Sequence, residues 1–180
     1  LFRNCVLWCD WGRAIKIGTE TVAPQIKNIA FEDCDIIKTT NCAMSIDHKD
    51  RAAVSNVRYE NIRVEMSETM LPSVYQRTKD EKYTRTLEKR SPELFVLYVA
   101  KMNSKDASRG TIRDVLIKDI QVTCSTEPVS RVGGYDDQHD LKGVTFKNVR
   151  FNGKLITSEA EMNLIKGNNG KYVSDLRFEP

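Results

Sequence analysis

Long hydrophobic runs are missing from this chain. The longest apolar stretch, Leu94 to Ala100, is a strand-sized seven residues, too short to span a bilayer, so no membrane partner is expected. A strong excess of one charge is missing as well. The formal net charge of +3 is scattered along 180 residues and leaves no basic footprint for nucleic acid, which is excluded as a partner. The five cysteines, Cys5, Cys9, Cys34, Cys42 and Cys124, are odd in number and show no CxxC or Cys/His spacing, so neither a metal nor another cofactor is expected. The opening LFRNCVLW lacks an initiator Met, a basic segment and a signal-peptide core. The chain therefore reads as starting in mid-repeat, as a piece of a longer protein. A composition 40% hydrophobic and 29% charged is that of an ordinary folded chain, and residues 1–180 read as one domain.

What is present is a repeat. IKNIAFEDCDI at Ile26 to Ile36 returns as VSNVRYENIRV at Val54 to Val64, IRDVLIKDIQV at Ile112 to Val122 and LKGVTFKNVRF at Leu141 to Phe151. Each copy has aliphatic residues at its first and fourth places, Phe, Tyr or Ile at the sixth, Asn or Asp at the eighth, and apolar residues at the ninth and eleventh. A partial copy opens the chain, where Phe2, Asn4, Cys5 and Leu7 fall on Phe31, Asp33, Cys34 and Ile36. The sixth places, Phe2, Phe31, Tyr59, Ile117 and Phe146, are separated by 29, 28, 58 and 29 residues, the 58 being twice 29. A fixed period of this length marks a repeat fold. Within a copy the apolar residues alternate with period two, and the parity slips across the Asn or Asp. Two short strands joined by a one-residue left-handed bend explain the slip, because Asn and Asp tolerate that conformation best. Asn4, Asp33, Asn61, Asp119 and Asn148 should then stack as a polar ladder. The expected fold is all-β, a right-handed parallel β-helix of five to six coils of about 29 residues, each adding strands to the coil below.

A further strand follows in each coil. In Ala14 to Ile17, Ile15 and Ile17 should face the core and Lys16 the solvent. In Ala43 to Asp47, Met44 and Ile46 should face inward, and Ser45 and Asp47 outward. Lys16, Ser45 and Asp47 then share one exposed sheet face, bordered by the loops Thr19 to Thr21 and His48 to Arg51. LFVLYVA is the equivalent strand of the third coil, preceded by an insertion at 67–93 that reads as a solvated excursion, with a lid over the exposed face as the alternative. Cys5 and Cys34 occupy the same inward place in successive coils and read as small core residues, a disulfide being the alternative. Asp136, Asp137, His139 and Asp140 in VGGYDDQHD match no standard metal loop and read as a solvated turn. The final VSDLRFE echoes the repeat and should help to cap the open end of the stack.

The run GRAIKIGTET followed by IKNIAFEDCDI and VSNVRYENI resembles the later coils of glycoside hydrolase family 28, the polygalacturonases and their relatives, and in particular a divergent bacterial pectinase-like branch. In that family a GHGxSIGS segment precedes VxNVxFxNxxI, an RIK segment and VSNVxYxNI. Gly12, Ile15, Ile17, Gly18 and Thr19 fit the first of these, and Ile26, Asn28, Ile29, Phe31, Asp33 and Ile36 the second. Val54 to Ile62 fit the last. The likeness covers about the first 65 residues. It implies an extracellular or periplasmic glycoside hydrolase (EC 3.2.1 type) acting on an acidic, pectin-like polysaccharide or oligosaccharide. It also implies that the family's catalytic aspartates precede Leu1, so that this region supplies a substrate-facing wall. Arg13 stands at the family's His of GHG, and Ser45 and Asp47 stand at its RIK.

If the active site has moved, the residues suited to acid/base work are Asp10, Glu20, Asp47 and His48. Trp11 suits sugar stacking, and Arg13 and Lys16, with Ser45 beside them, suit binding of a sugar carboxylate. A non-catalytic carbohydrate-binding or structural β-helix and a polysaccharide lyase are the alternatives.

Overall fold

The computed structural model describes residues 1–9, 12–39, 41–66, 74–75, 78–85, 93–100 and 108–180. The strands are β1 (Phe2–Arg3), β2 (Val6–Cys9), β3 (Arg13–Thr19), β4 (Gln25–Thr39), β5 (Cys42–His48), β6 (Ala53–Met66), β7 (Val74–Tyr75), β8 (Thr84–Arg85), β9 (Glu93–Val99), β10 (Thr111–Cys124), β11 (Val129–Gly133), β12 (Leu141–Phe151), β13 (Lys154–Leu155), β14 (Leu164–Lys166) and β15 (Val173–Glu179). Among the described residues the one helical segment is a 3₁₀ turn at Gly167–Gly170.

The chain is all-β and its two main sheets are parallel. One sheet runs in the order β1, β4, β6, β10, β12, with β2 also on β4 and β15 also on β12. The other runs β14, β11, β9, β5, β3. The chain alternates between them, and each pass lays a strand beside the strand of the previous pass. Ile26, Val54, Ile112 and Leu141 are register partners in turn. So are Phe31, Tyr59, Ile117 and Phe146, and the stack ends with Phe178 on Phe146. Tyr59 and Ile117, two periods apart in sequence, are direct neighbours. The extra residues therefore lengthen one pass and add no strand to this sheet. Within the insertion β7 and β8 pair antiparallel and residues 78–84 are exposed; residues 67–73, 76–77 and 86–92, on which the lid alternative turns, lie outside the described residues.

The left-handed bends fall where the parity slips. Asn4, Asp33, Asn61, Asp119 and Asn148 have φ of 57°, 53°, 51°, 54° and 48°. Asn61 Nδ2 donates to Asp33 Oδ1, and Asn148 Nδ2 to Asp119 Oδ1, both at 2.7 Å. A second row at the third place, Asn28, Asn56, Asp114, Gly143 and Asp175, is also left-handed, and Asn56 Nδ2 donates to Asn28 Oδ1 at 2.7 Å. Each long strand is thus bent twice. At Gly143 a side chain would come within 3.1 Å of Asp114 Oδ1, so glycine completes the row where the strands approach.

Inward residues of both sheets form one core that includes Tyr59, Phe95, Phe146, Ile36, Met44, Ile46 and Ile62. Each such side chain contributes about 1.5–3 kcal/mol on burial. Phe2, Phe31 and Tyr59 stack at centroid distances of 5.1 and 5.3 Å, an offset arrangement that the ring quadrupoles favour. Cys34 and Cys42 are buried free thiols. Burial pushes the Cys42 thiol up to about 12, so it packs as a small hydrophobe. At the far end β15 extends the first sheet by one strand, β13 folds back on the remainder of β12, and Ile156 and Met162 close the core.

Candidate functional site

The second sheet carries the candidate site on its outward face. In β3, Ile15 and Ile17 are buried and Lys16 is exposed, as the alternation predicts. Lys16 is the register partner of Ser45, and Gly18 of Asp47. Asp47 is where the charges converge. Its Oδ2 lies 3.4 Å from Arg13 Nη1, 3.7 Å from Lys49 Nζ and 3.9 Å from Lys16 Nζ. Lys16 Nζ also donates to Thr19 Oγ1 at 2.6 Å. Arg13 Nη1 is buried and makes no well-aligned hydrogen bond, so its pairing with Asp47 is coulombic. Asp47, expected to be exposed, is buried at 8% because these side chains cover it; three cations over one buried carboxylate leave a local positive excess, with Lys16 exposed and Arg13 and Lys49 half-buried. Gly18, with φ of +105°, lies against the Asp47 backbone where a Cβ would collide with the Asp47 carbonyl. That close approach lets β3 and β5 bring Arg13, Lys16 and Asp47 together, with Lys49 just past the end of β5.

Two of the expected site residues lie elsewhere than the alternation suggests. Ser45 has outward parity but is fully buried. Flanked by Lys16 and Val96 in register, its short side chain turns back to donate to the Ile15 carbonyl at 3.3 Å, so it presents no hydroxyl to a ligand. His48 is the last residue of β5 and not part of the following loop. Its parity is that of Met44 and Ile46, and it is fully buried. Its Nδ1 lies 2.6 Å from Thr21 Oγ1, and burial holds its pKa below the ordinary imidazole value. A proton carrier that meets no solvent cannot act on a substrate at this face. Glu20 is exposed and is not among the groups that meet Asp47. Asp10 and Trp11 lie outside the described residues.

The sequence reading missed Lys49 and Tyr98. Tyr98 follows Asp47 in register and precedes Gly133, and between the buried Leu97 and Val99 its parity is outward. A side chain at Gly133 would come within 2.5 Å of the Tyr98 ring, and one at Gly167 within 2.5 Å of its hydroxyl. The two glycines thus form the bed on which this ring lies. Burial raises the Tyr98 pKa, offset by Arg131. Arg131 is held by Glu93, Nε to Oε1 at 2.6 Å. The alternation within LFVLYVA already carried the signal for Tyr98.

In the VGGYDDQHD loop the polar groups serve the loop itself. Asp136 Oδ1 accepts from the backbone N–H groups of Gln138 and His139 and meets His139 Nδ1 at 2.7 Å, while Asp140 pairs with Arg113. A separate hollow of about 370 Å³ lies at the ends of β4, β6 and β10, between Lys38, Glu65, Met66 and Cys124. None of the expected site residues lines it. Comparisons with protein-family models, curated proteins and solved structures return no match. The arrangement at Asp47 is suited to holding an anion, because Arg and Lys side chains on one rigid sheet face offer charge-assisted hydrogen bonds to a carboxylate.

Proposed function

We propose that the two sheets are faces of a right-handed parallel β-helix, and that the outward face of the second sheet is the wall of a groove for an acidic, pectin-like polysaccharide. In this reading the chain is the substrate-binding region of a secreted glycoside hydrolase of the polygalacturonase kind. The observation that carries it is the meeting of Arg13, Lys16 and Lys49 at the single carboxylate of Asp47. A uronate carboxylate entering there would find cationic partners beyond those Asp47 neutralises. Asp47 fixes the direction of the three cations and so limits the reorganisation a ligand must drive.

Hydrolysis with inversion needs two carboxyls about 6.5–9.5 Å apart with a water between them. Among the described residues Asp47 is the one carboxylate at the centre of this face, and three cations surround it. The proposal therefore assigns binding, and not proton transfer, to this face. The same observation favours a second reading, a non-catalytic carbohydrate-binding β-helix.

Titration calorimetry with trigalacturonate and with a neutral trisaccharide tests the binding. The expected result is preference for the acidic sugar and at least tenfold weaker binding by Arg13→Gln. Equal binding of both sugars, or of neither, overturns it. Reducing-end release from polygalacturonate separates hydrolase from binder, and products absorbing in the near ultraviolet would indicate a lyase.

A further inference from the structure

His48 sits at a junction of three successive passes of the chain. Thr21, from the loop after β3, meets its Nδ1 at 2.6 Å. Asp50, from the loop after β5, holds Thr21 twice: its N–H donates to Thr21 Oγ1 at 3.2 Å, and its Oδ2 accepts from the Thr21 N–H at 2.7 Å. Gly110, just before β10, donates its N–H to the Asp50 carbonyl at 2.7 Å. Thr21 Oγ1 accepts from the Asp50 N–H, and with the ring proton turned toward the Ala52 carbonyl the Thr21 hydroxyl donates to His48 Nδ1. The imidazole proton then resides on Nε2. That atom is buried and faces the Ala52 carbonyl, and a Cβ on Gly110 would meet both, coming within 2.6 Å of Nε2.

We infer that His48 is a pH-responsive clasp, a positioning residue whose neutral form joins the loop after β3 to the loop after β5 at the edge of the cationic face. The inference rests on the anionic-sugar reading for its ligand, but not for its geometry. One end of the clasp, Thr21, follows two residues after Thr19, the last residue of β3, whose hydroxyl anchors Lys16. The other end, Asp50, follows Lys49, which meets Asp47. Two of the three cations therefore depend on it. A second proton on the imidazole, at Nδ1, would make the Thr21 hydroxyl give up its donation to the ring and turn its hydrogen away, and would put a charge in a dry corner. Around the ring stand Thr21 from the first pass, Asp50 and the Ala52 carbonyl from its own pass, and Gly110 from the third, and Thr19 and Val99 are its register partners. Asp50 is the titratable one among these described residues; the Ala52 carbonyl and Asp50 both favour the charged ring, but burial outweighs them.

Acidification should therefore open the clasp and release the ligand, although a uronate carboxylate stays ionised down to about pH 3.5. The first measurement is the imidazole ¹⁵N titration of the unmodified protein by NMR. The expected result is an Nε2–H tautomer with a midpoint below the free-histidine value of about 6.5; a midpoint at or above that value overturns the inference. The second is trigalacturonate binding from about pH 7 to about pH 5. The unmodified protein should lose about tenfold in affinity and His48→Asn, which keeps an acceptor toward Thr21 but cannot be charged, less than about twofold. Parallel losses in both overturn it. If trigalacturonate binds at no pH, the anionic-sugar reading fails by itself. The clasp is then judged by the urea midpoint, which should fall on acidification in the unmodified protein and stay level in His48→Asn.

Discussion

One left-handed residue at each bend decides whether the next strand keeps its inward face, and its side chain then bonds to the same residue one pass away. Asn148, with φ of 48° and its amide on Asp119, shows both effects. Asn148→Ala loses the left-handed tolerance, about 1–2 kcal/mol, and an exchange of hydrogen bonds worth about 1 kcal/mol. Asn148→Gly keeps the first and loses only the second. Urea unfolding of the two variants should rank them in that order, and a glycine variant as unstable as the alanine one would show that the bend does not need a left-handed residue. Glu161 gives a pH prediction at the same scale. The Thr157 N–H and hydroxyl and the Lys154 ammonium hold its carboxyl down to about 2. A depressed carboxyl contributes stability above the unfolded carboxylate range, and that contribution is lost as pH falls through about 2. The Glu161 carboxyl carbon shift should therefore not move until well below the ordinary range near 4.3.

Between elements, close approach is set by glycine. Tyr98 of β9 lies across Gly133 of β11, where a methyl group would come within 2.5 Å of the ring. Gly133→Ala should displace the ring and cost about 1–3 kcal/mol, as overpacking does; unchanged Tyr98 ring shifts in NMR spectra would contradict this. Much of this element-level order is legible in the sequence. The eighth-place ladder, the register of VSDLRFE on LKGVTFK and the opposite parities of Lys16 and its apolar neighbours all follow from period and alternation. The third-place ladder was equally present, since aliphatic residues at places one and four already require a parity slip between them. Gly143 hid it by breaking the run of Asn and Asp. The candidate site was less legible. Parity gives the side of a sheet that a residue faces, so it pointed to Asp47 and Lys16. Burial depends on what neighbouring passes bring, so Ser45 and His48 were not recognisable as covered. Lys49 belongs to a loop, where no period applies.

Across the whole molecule, stability should follow position in the stack. Each strand of the first sheet gains its core partners from the strand before and the strand after, so the energy is a sum of nearest-neighbour terms. β6 is paired along its length on both sides, with β4 and with β10. Within these 180 residues β1 and β2 pair on one side, with β4, and Phe2 and Trp8 are 57% and 63% exposed. β15 pairs with β12 on one side and leaves Ser174 and Asp175 exposed. Local opening costs least where partners lie on one side only. Native-state amide exchange should then be slowest in β6 and β10, faster in β4 and β12, and fastest in β1, β2 and β15. Ile62→Ala removes a fully buried side chain from the middle of the stack and should cost about 2–5 kcal/mol. It should lower protection throughout β4, β6 and β10 together, because the lost contact lies on the path joining them. Val173→Ala, at the last strand, should speed exchange in β15 alone. Equal protection of β2 and β6, or a Val173→Ala effect that reaches β6, would mean that the sheets open as one unit and that the pass-by-pass account of their stability is wrong.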